Sequence, residues 1–341
     1  MKKQTWNWII ILLFAGALIG SLFMADKPQN IWKALVAAKP AFLWGAVLCM
    51  VGYWLFESIA LYLMANRMNQ KLSFAESVKT SMVGQLFNCI TPFASGGQPI
   101  QAYRLKQCGI PVGKASCILL AKFIVYQVIL TVYSLVLILL RFSFFVSEVS
   151  RFEYLVLLGF GVNCLVVLML IGIGFFPRTS RKALYGLTRL LSKIHLVKNE
   201  AEMRAKVDKE MDEFYETFRE LKTNLKMLLA PCLITVLQLT VFFTVPYCIC
   251  LALGVANPQY LTIISAAAFV LMISSFIPLP GGSGGAEGGF YLLFSMFFPT
   301  AGLVAITIVL WRVMTFYLPI VVGFVFSKLK VSKGKRISLA K

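Results

Sequence analysis

Histidine is nearly missing from this chain: His195 stands alone in 341 residues, and none of the eight cysteines is spaced as Cys-x-x-Cys. That shortage leaves no ligand set for a zinc centre, and no metal or other cofactor is expected. Cys49, Cys89, Cys108, Cys117, Cys164, Cys232, Cys248 and Cys250 mostly sit within apolar runs and read as small buried hydrophobes. Acidic residues are also scarce, 14 against 33 lysines and arginines, giving a net charge of +19. No glycine-rich stretch ends in Gly-Lys-Ser or Gly-Lys-Thr, which excludes a nucleotide P-loop. No Ala-x-Ala site follows the first apolar run, so Lys2, Lys3 and Trp6–Met24 read as an uncleaved first span rather than a leader.

Apolar residues are abundant. They make up 59% of the chain, with a mean hydropathy of +0.80, whereas soluble domains are about 45–50% apolar. They come in blocks of roughly 20, the length that crosses a bilayer's hydrocarbon. The expected fold is an all-α integral membrane protein, a single polytopic domain over 1–341 with seven to eight hydrophobic segments. Six are complete spans: Trp6–Met24, Ala41–Ala65, Ala115–Leu140, Tyr154–Phe176, Met227–Leu253 and Ala301–Phe326. Pro231, Pro246 and Pro319 are expected to kink the last two.

Six crossings place both termini on one side. Of the 33 basic residues, 26 then fall in four segments on that side: the N-terminal lysines, Arg67–Lys114, Arg178–Lys226 and the basic tail Lys328–Lys341. Only Lys27, Lys33, Lys39, Arg141 and Arg151 lie opposite. This is the positive-inside pattern, which puts both termini in the cytoplasm of a multi-pass cell-membrane protein. Topology thus accounts for the charge, and direct nucleic-acid binding is not expected. The charged loop over 177–226 carries helical stripes, Leu187, Leu190, Leu191 and Ile194, then Met203, Val207, Met211, Phe214 and Phe218. Amphipathic helices along the inner surface are expected there.

Two further apolar stretches are interrupted. Phe74 to about Leu105 breaks over Thr91–Pro99, and Leu261–Phe298 breaks over Pro278–Gly289. Proline removes a donor and glycine costs about 1 kcal/mol in a helix, so both breaks are read as non-helical. Each is expected to be a re-entrant pair of half-helices, one entering from each side in a weak inverted repeat. Half-helix N-termini can present N–H groups to an anion such as a phospholipid headgroup, which glycine lets approach the backbone.

Charges inside apolar segments are the second signal, since each costs about 2.5–3.5 kcal/mol at a helix centre. Glu57, Lys122 and Arg312 lie in spans, Glu287 in the second break, and Arg104 follows the first. They read either as a polar path, with Arg104, Lys122 and Arg312 attracting phosphate, or as structural pairs Glu57–Lys122 and Glu287–Arg312. Gln85, Asn88, Gln98, Gln127, Asn163 and Gln238 could line a cavity or bond between helices.

Asn88-x-x-Thr91-Pro92, Gly96-Gly97-Gln98-Pro99 and Tyr103-Arg104-Leu105 resemble the first signature of the lysylphosphatidylglycerol synthase transmembrane family. Pro278-x-Pro280-Gly281-Gly282-x-Gly284-x-x-Glu287 resembles the second. The resemblance implies a flippase-like movement of aminoacylated anionic phospholipid between leaflets, linked to resistance against cationic antimicrobial peptides. It implies headgroup contacts at Asn88, Thr91, Pro92, Gly96, Gly97, Gln98, Arg104, Pro280, Gly281, Gly282, Gly284 and Glu287, and no catalytic residue. Implied partners are phosphatidylglycerol or its aminoacyl derivative and a separate transferase; a homo-oligomer stays open. Position 98 is Gln where many relatives have Glu, which removes a charge. Family members with a large soluble C-terminal domain transfer lysine from lysyl-tRNA to phosphatidylglycerol. Only about 15 residues follow the last span here, so that transferase fold is not expected in this chain. The alternatives are lipid lysylation, alone or with a catalytic partner, and a non-transporting scaffold.

Overall fold

A computed structural model describes residues 28–149, 151–193, 200–274, 277 and 279–330. The expected span Trp6–Met24, His195, Pro278 and most of the basic tail lie outside the described residues. All regular structure among the described residues is helical: α1 (Pro28–Ala37), α2 (Pro40–Arg67), α3 (Phe74–Ile90), α4 (Gly97–Gln107), α5 (Val112–Leu140), α6 (Phe142–Glu148), α7 (Phe152–Phe175), α8 (Pro177–Lys193), α9 (Glu200–Thr223), α10 (Leu229–Ala252), α11 (Tyr260–Ser274), α12 (Gly285–Phe294), α13 (Ala301–Arg312) and α14 (Leu318–Lys328).

Five helical stretches are long and apolar enough to cross a membrane: α2, α5, α7, α10 with its leading turn from Leu225, and the Ala301–Lys328 segment. They coincide with five of the six expected spans. Such sequences become helices because only a helix satisfies every backbone donor and acceptor within its own segment when no water is present. On α7, Leu157, Leu158, Leu165, Leu168 and Met169 are exposed, an apolar face suited to lipid rather than water.

A few bonds fix which ends lie together. Lys39 N–H donates to Ala252 O (2.9 Å) and Arg67 Nη1 donates to Met227 O (2.7 Å), so α2 and α10 are antiparallel over their full length. The end holding Arg67 also holds the start of α3, tied by Asn66 Nδ2 to Leu72 O, and the end of α14, tied by Lys79 Nζ to Lys330 O. At this basic end α9 docks on α5: Gly113 N–H donates to Glu210 Oε2, and Phe214 and Leu221 are buried beneath. The stretches 67–79 and 104–114, helix α9 and residues 328–330 therefore gather at one end, as charge counting anticipates. The opposite end holds Lys39, Ala252 and the start of α11. Ser265 Oγ, early in α11, donates to Leu137 O, late in α5.

Both broken stretches fold back on themselves. Gln101 in α4 lies against Gly84 in α3, and α11 packs along α12. The first hairpin starts at the basic end and the second at the opposite end, and their tips, the turns Pro92–Ala94 and Pro280–Gly282, touch each other. Opposed entry is thus a feature of the structure. The breaks are shorter than the sequence reading. Gly97, Gln98 and Pro99 begin α4, and Gly285–Gly289 lie within α12. A proline in the first helical turn forfeits only an N–H that would have no partner. Pro231 likewise falls in the first turn of α10.

Candidate functional site

The first break begins where Thr91, preceding Pro92, takes an extended conformation (φ −115°, ψ 147°), as proline demands of its neighbour. Phe93 and Ala94 then adopt left-handed φ values of 54° and 50°. Two motif side chains hold the turn. Thr91 Oγ1 donates to Phe87 O (2.6 Å) and accepts from Gly96 N–H (2.8 Å), while Asn88 Oδ1 accepts from Gly97 N–H (3.0 Å). A Cβ on residue 97 would sit 2.1 Å from Asn88 Oδ1, so this bond requires glycine.

The second break repeats the design. Leu279 is extended, Pro280 opens the turn, and Gly281 (φ 61°) and Gly282 (φ 64°) are left-handed. Ser283 Oγ donates to Pro280 O (2.7 Å) just as Ser95 Oγ donates to Pro92 O (2.9 Å). Pro92-Phe93-Ala94-Ser95-Gly96-Gly97 thus aligns with Pro280-Gly281-Gly282-Ser283-Gly284-Gly285, with identical proline, serine and both final glycines. The shared hexapeptide is a signal that the sequence reading passed over.

Left-handed backbone costs a residue with a side chain about 1–2 kcal/mol, and glycine returns roughly 0.4–1 of that through the unfolded chain. Ala94→Gly is therefore expected to stabilise the detergent-solubilised protein by about 0.5–1 kcal/mol. A thermal midpoint that falls would contradict the left-handed turn.

Where the tips meet lies a cavity of about 460 Å³, lined from both breaks and from α2, α5, α7, α10, α11 and α13. Two ion pairs stand in its walls. Lys122 Nζ donates to Glu57 Oε1, and Gln238 Nε2 donates to Glu57 Oε2 (2.8 Å), which joins α5, α2 and α10. Arg312 Nε donates to Glu287 Oε1 (2.7 Å) and its Nη1 to Gly281 O (3.0 Å). Glu287 Oε2 also accepts from Gly284 N–H (2.7 Å), closing the start of α12. Arg312 is only 5% exposed, lies 5.0 Å from the Trp311 ring centroid, and its Nη2 has no hydrogen-bond partner among the described residues.

A π-helical turn, Val313–Tyr317, follows Arg312 and precedes Pro319, which lacks an N–H for regular helix bonding. Such turns shift the register of the side chains after them. The Phe316 ring lies against Gly281, where a Cβ would come within 2.2 Å of it.

Among the candidate residues, Asn88, Gln98, Gly281, Gly282, Glu57, Lys122 and Arg312 line the cavity, together with Gln85 and Gln127. Thr91, Pro92, Gly96, Gly97, Pro280, Gly284 and Glu287 build the frame around it. The backbone N–H groups of Gly96, Gly97 and Gly284 at the half-helix starts are already engaged, and Arg312 Nη2, though without a partner among the described residues, is itself buried. Arg104 is carried to the basic end, where its Nη2 reaches Leu329 O (3.4 Å), outside the lining. Asn163 bonds Gln127 behind the wall. Tyr53, Tyr126 and Gln101, which hydropathy does not single out, also line the cavity. No group of three or more His, Cys, Asp or Glu able to hold a metal occurs among the described residues.

The family described as the lysylphosphatidylglycerol synthase TM region matches residues 8–323. The chain belongs to that family. A UPF0104 membrane protein of Archaeoglobus fulgidus is 26% identical over 335 residues, covering 96% of this chain and 98% of that relative. Family and structure together make this a multi-pass membrane protein. The Pro92–Gly97 part of the first signature and the Pro280–Gly284 part of the second fall at the touching tips, whereas Tyr103-Arg104-Leu105 lies toward the basic end.

Proposed function

We propose that this protein moves phospholipid between leaflets, passing the headgroup through the cavity between the two tips. The observation that carries this reading is the meeting of two opposed hairpins at a cavity whose largely apolar lining holds two ion pairs. Irregular backbone at membrane depth persists where it lines such a cavity, and opposed broken helices are a known basis for alternating access. Asn88, Gln98 and the Gly281–Gly282 turn contact the headgroup, Arg312 meets its phosphate, and the cell-membrane protein is oriented with its basic end cytoplasmic. The family description names lysylphosphatidylglycerol, a lipid bearing both phosphate and amine; resistance to cationic peptides would follow from moving such a lipid to the outer leaflet.

The test uses the full chain in vesicles containing tail-labelled phospholipids, with label access from outside as the readout. Protein-dependent movement that varies with headgroup is the expected result. Absence of movement for every headgroup would overturn the reading. Lipid lysylation is the second reading, prompted by the word synthase in the family description. Radiolabelled lysine appearing in lipid after incubation with lysyl-tRNA would establish it, and none is expected.

A further inference from the structure

Counting charge around the cavity leads beyond transport as such to the class of headgroup carried, an inference that rests on the transport reading. The charged side chains in its lining are Glu57, Lys122 and Arg312, and Arg312 is paired with Glu287 just behind. Two cations face two carboxylates, so the site is formally neutral. Each pair is closed upon itself, yet each has something to give. Arg312 keeps an unpartnered though buried Nη2, and Glu57 is held on its second oxygen by neutral Gln238, which leaves Lys122 able to exchange.

A headgroup entering this site must exchange partners with the walls. A phosphate that draws Lys122 away leaves Glu57 a buried, uncompensated carboxylate, and such groups are strongly destabilising. A headgroup that brings one ammonium with its phosphate repairs the loss: the phosphate takes Lys122, and the ammonium takes Glu57. Aromatic rings favour the same cation. Tyr53 and Tyr126 both line the cavity and both lie near Glu57, and Phe242 stands 5.0 Å from Tyr53, ring centre to ring centre. A carboxylate beside aromatic faces is a setting that attracts alkylammonium groups. A second ammonium, as in lysyl-phosphatidylglycerol, would find no further carboxylate in the lining.

We propose that the cavity selects net-neutral phospholipids carrying one ammonium and one phosphate, the phosphoethanolamine class, over net-anionic phosphatidylglycerol and net-cationic lysyl-phosphatidylglycerol. The full chain is reconstituted in vesicles of one composition, each containing a trace of one tail-labelled lipid of the three classes. The ethanolamine lipid is expected to move about tenfold faster than either other, roughly the discrimination of a single well-placed ion contact. The double variant Glu57→Gln/Lys122→Gln keeps the wall neutral, so it avoids the stranded charge of Glu57→Gln alone. In it the ethanolamine-to-glycerol rate ratio is expected to fall toward one. Thermal unfolding of the solubilised chain gives a second readout, with ethanolamine lipid raising the midpoint more than glycerol lipid. Equal or faster movement of phosphatidylglycerol, or an unchanged ratio in the double variant, would overturn the proposal while leaving transport intact. No movement of any lipid, with no headgroup-selective thermal shift, would overturn both.

Discussion

Gly281→Ala is expected to destabilise the solubilised protein by about 2–5 kcal/mol and to cut lipid movement at least about tenfold. Two separate costs add at this position. Its φ of 61° is a left-handed conformation, worth about 1–2 kcal/mol against a residue with a Cβ. That Cβ would also fall 2.2 Å from Phe316, at the end of the π-helical turn, and overpacking of this kind costs about 1–3 kcal/mol. Gly284→Ala meets no such overlap: its backbone (φ 85°, ψ −56°) is strained for alanine in its own way, but nothing lies within 4 Å of the new Cβ. It should show only the backbone cost. Gly281→Ala/Phe316→Ala should recover stability relative to a Phe316→Ala reference, because the overlap is gone. No recovery in Gly281→Ala/Phe316→Ala would mean that Phe316 does not press on the tip.

Arg312→Met is expected to cost about 3–5 kcal/mol, the usual penalty for stranding one partner of a buried pair. The lower part of that range applies, because the Glu287 side chain keeps 25% of its exposure and solvent screens it in part. The loss includes the bond from Nη1 to Gly281 O, so the second tip loses its tie to α13 as well. Glu287→Gln should be milder, since its one amide oxygen can still accept from either Gly284 N–H or Arg312 Nε, though not from both. The double variant Arg312→Met/Glu287→Gln should regain much of the stability, as removal of both charges often leaves a buried site no worse off. Urea or thermal unfolding of the four proteins would give the coupling directly. Additive losses would show that the pair is not coupled in the folded protein.

Hydropathy located five spans to within three residues of their observed ends, Ala115 against Val112 being the largest displacement. It succeeds because covering the hydrocarbon needs a fixed length of apolar chain, whatever packs against it. Pairing of the charges was equally readable: a carboxylate and a cation in apolar segments must find each other, and Glu57–Lys122 and Glu287–Arg312 do. Facing and depth were not readable. Arg104 follows the first tip closely in sequence, but α4 carries it back to the basic end. Asn88 and Thr91 looked like ligand-binding groups, yet their oxygens hold Gly97 and Gly96, a role that depends on how the turn closes in space. Propensity alone overstates the extents of the breaks, since Pro99 and Gly288 both lie within helices. In the first turn or in a packed helix, position overrides propensity. The π-helical turn before Pro319 had no sequence signal beyond the proline itself.

The central claim is that a headgroup passes between the tips and meets Arg312 on the way. It is tested most directly by lipid movement in vesicles containing the Arg312→Met/Glu287→Gln protein, matched to the unaltered protein in amount, orientation and thermal midpoint. With the fold retained and the phosphate contact gone, movement is predicted to fall at least about tenfold, the worth of one charge-assisted contact. Movement at the unaltered rate would contradict the account.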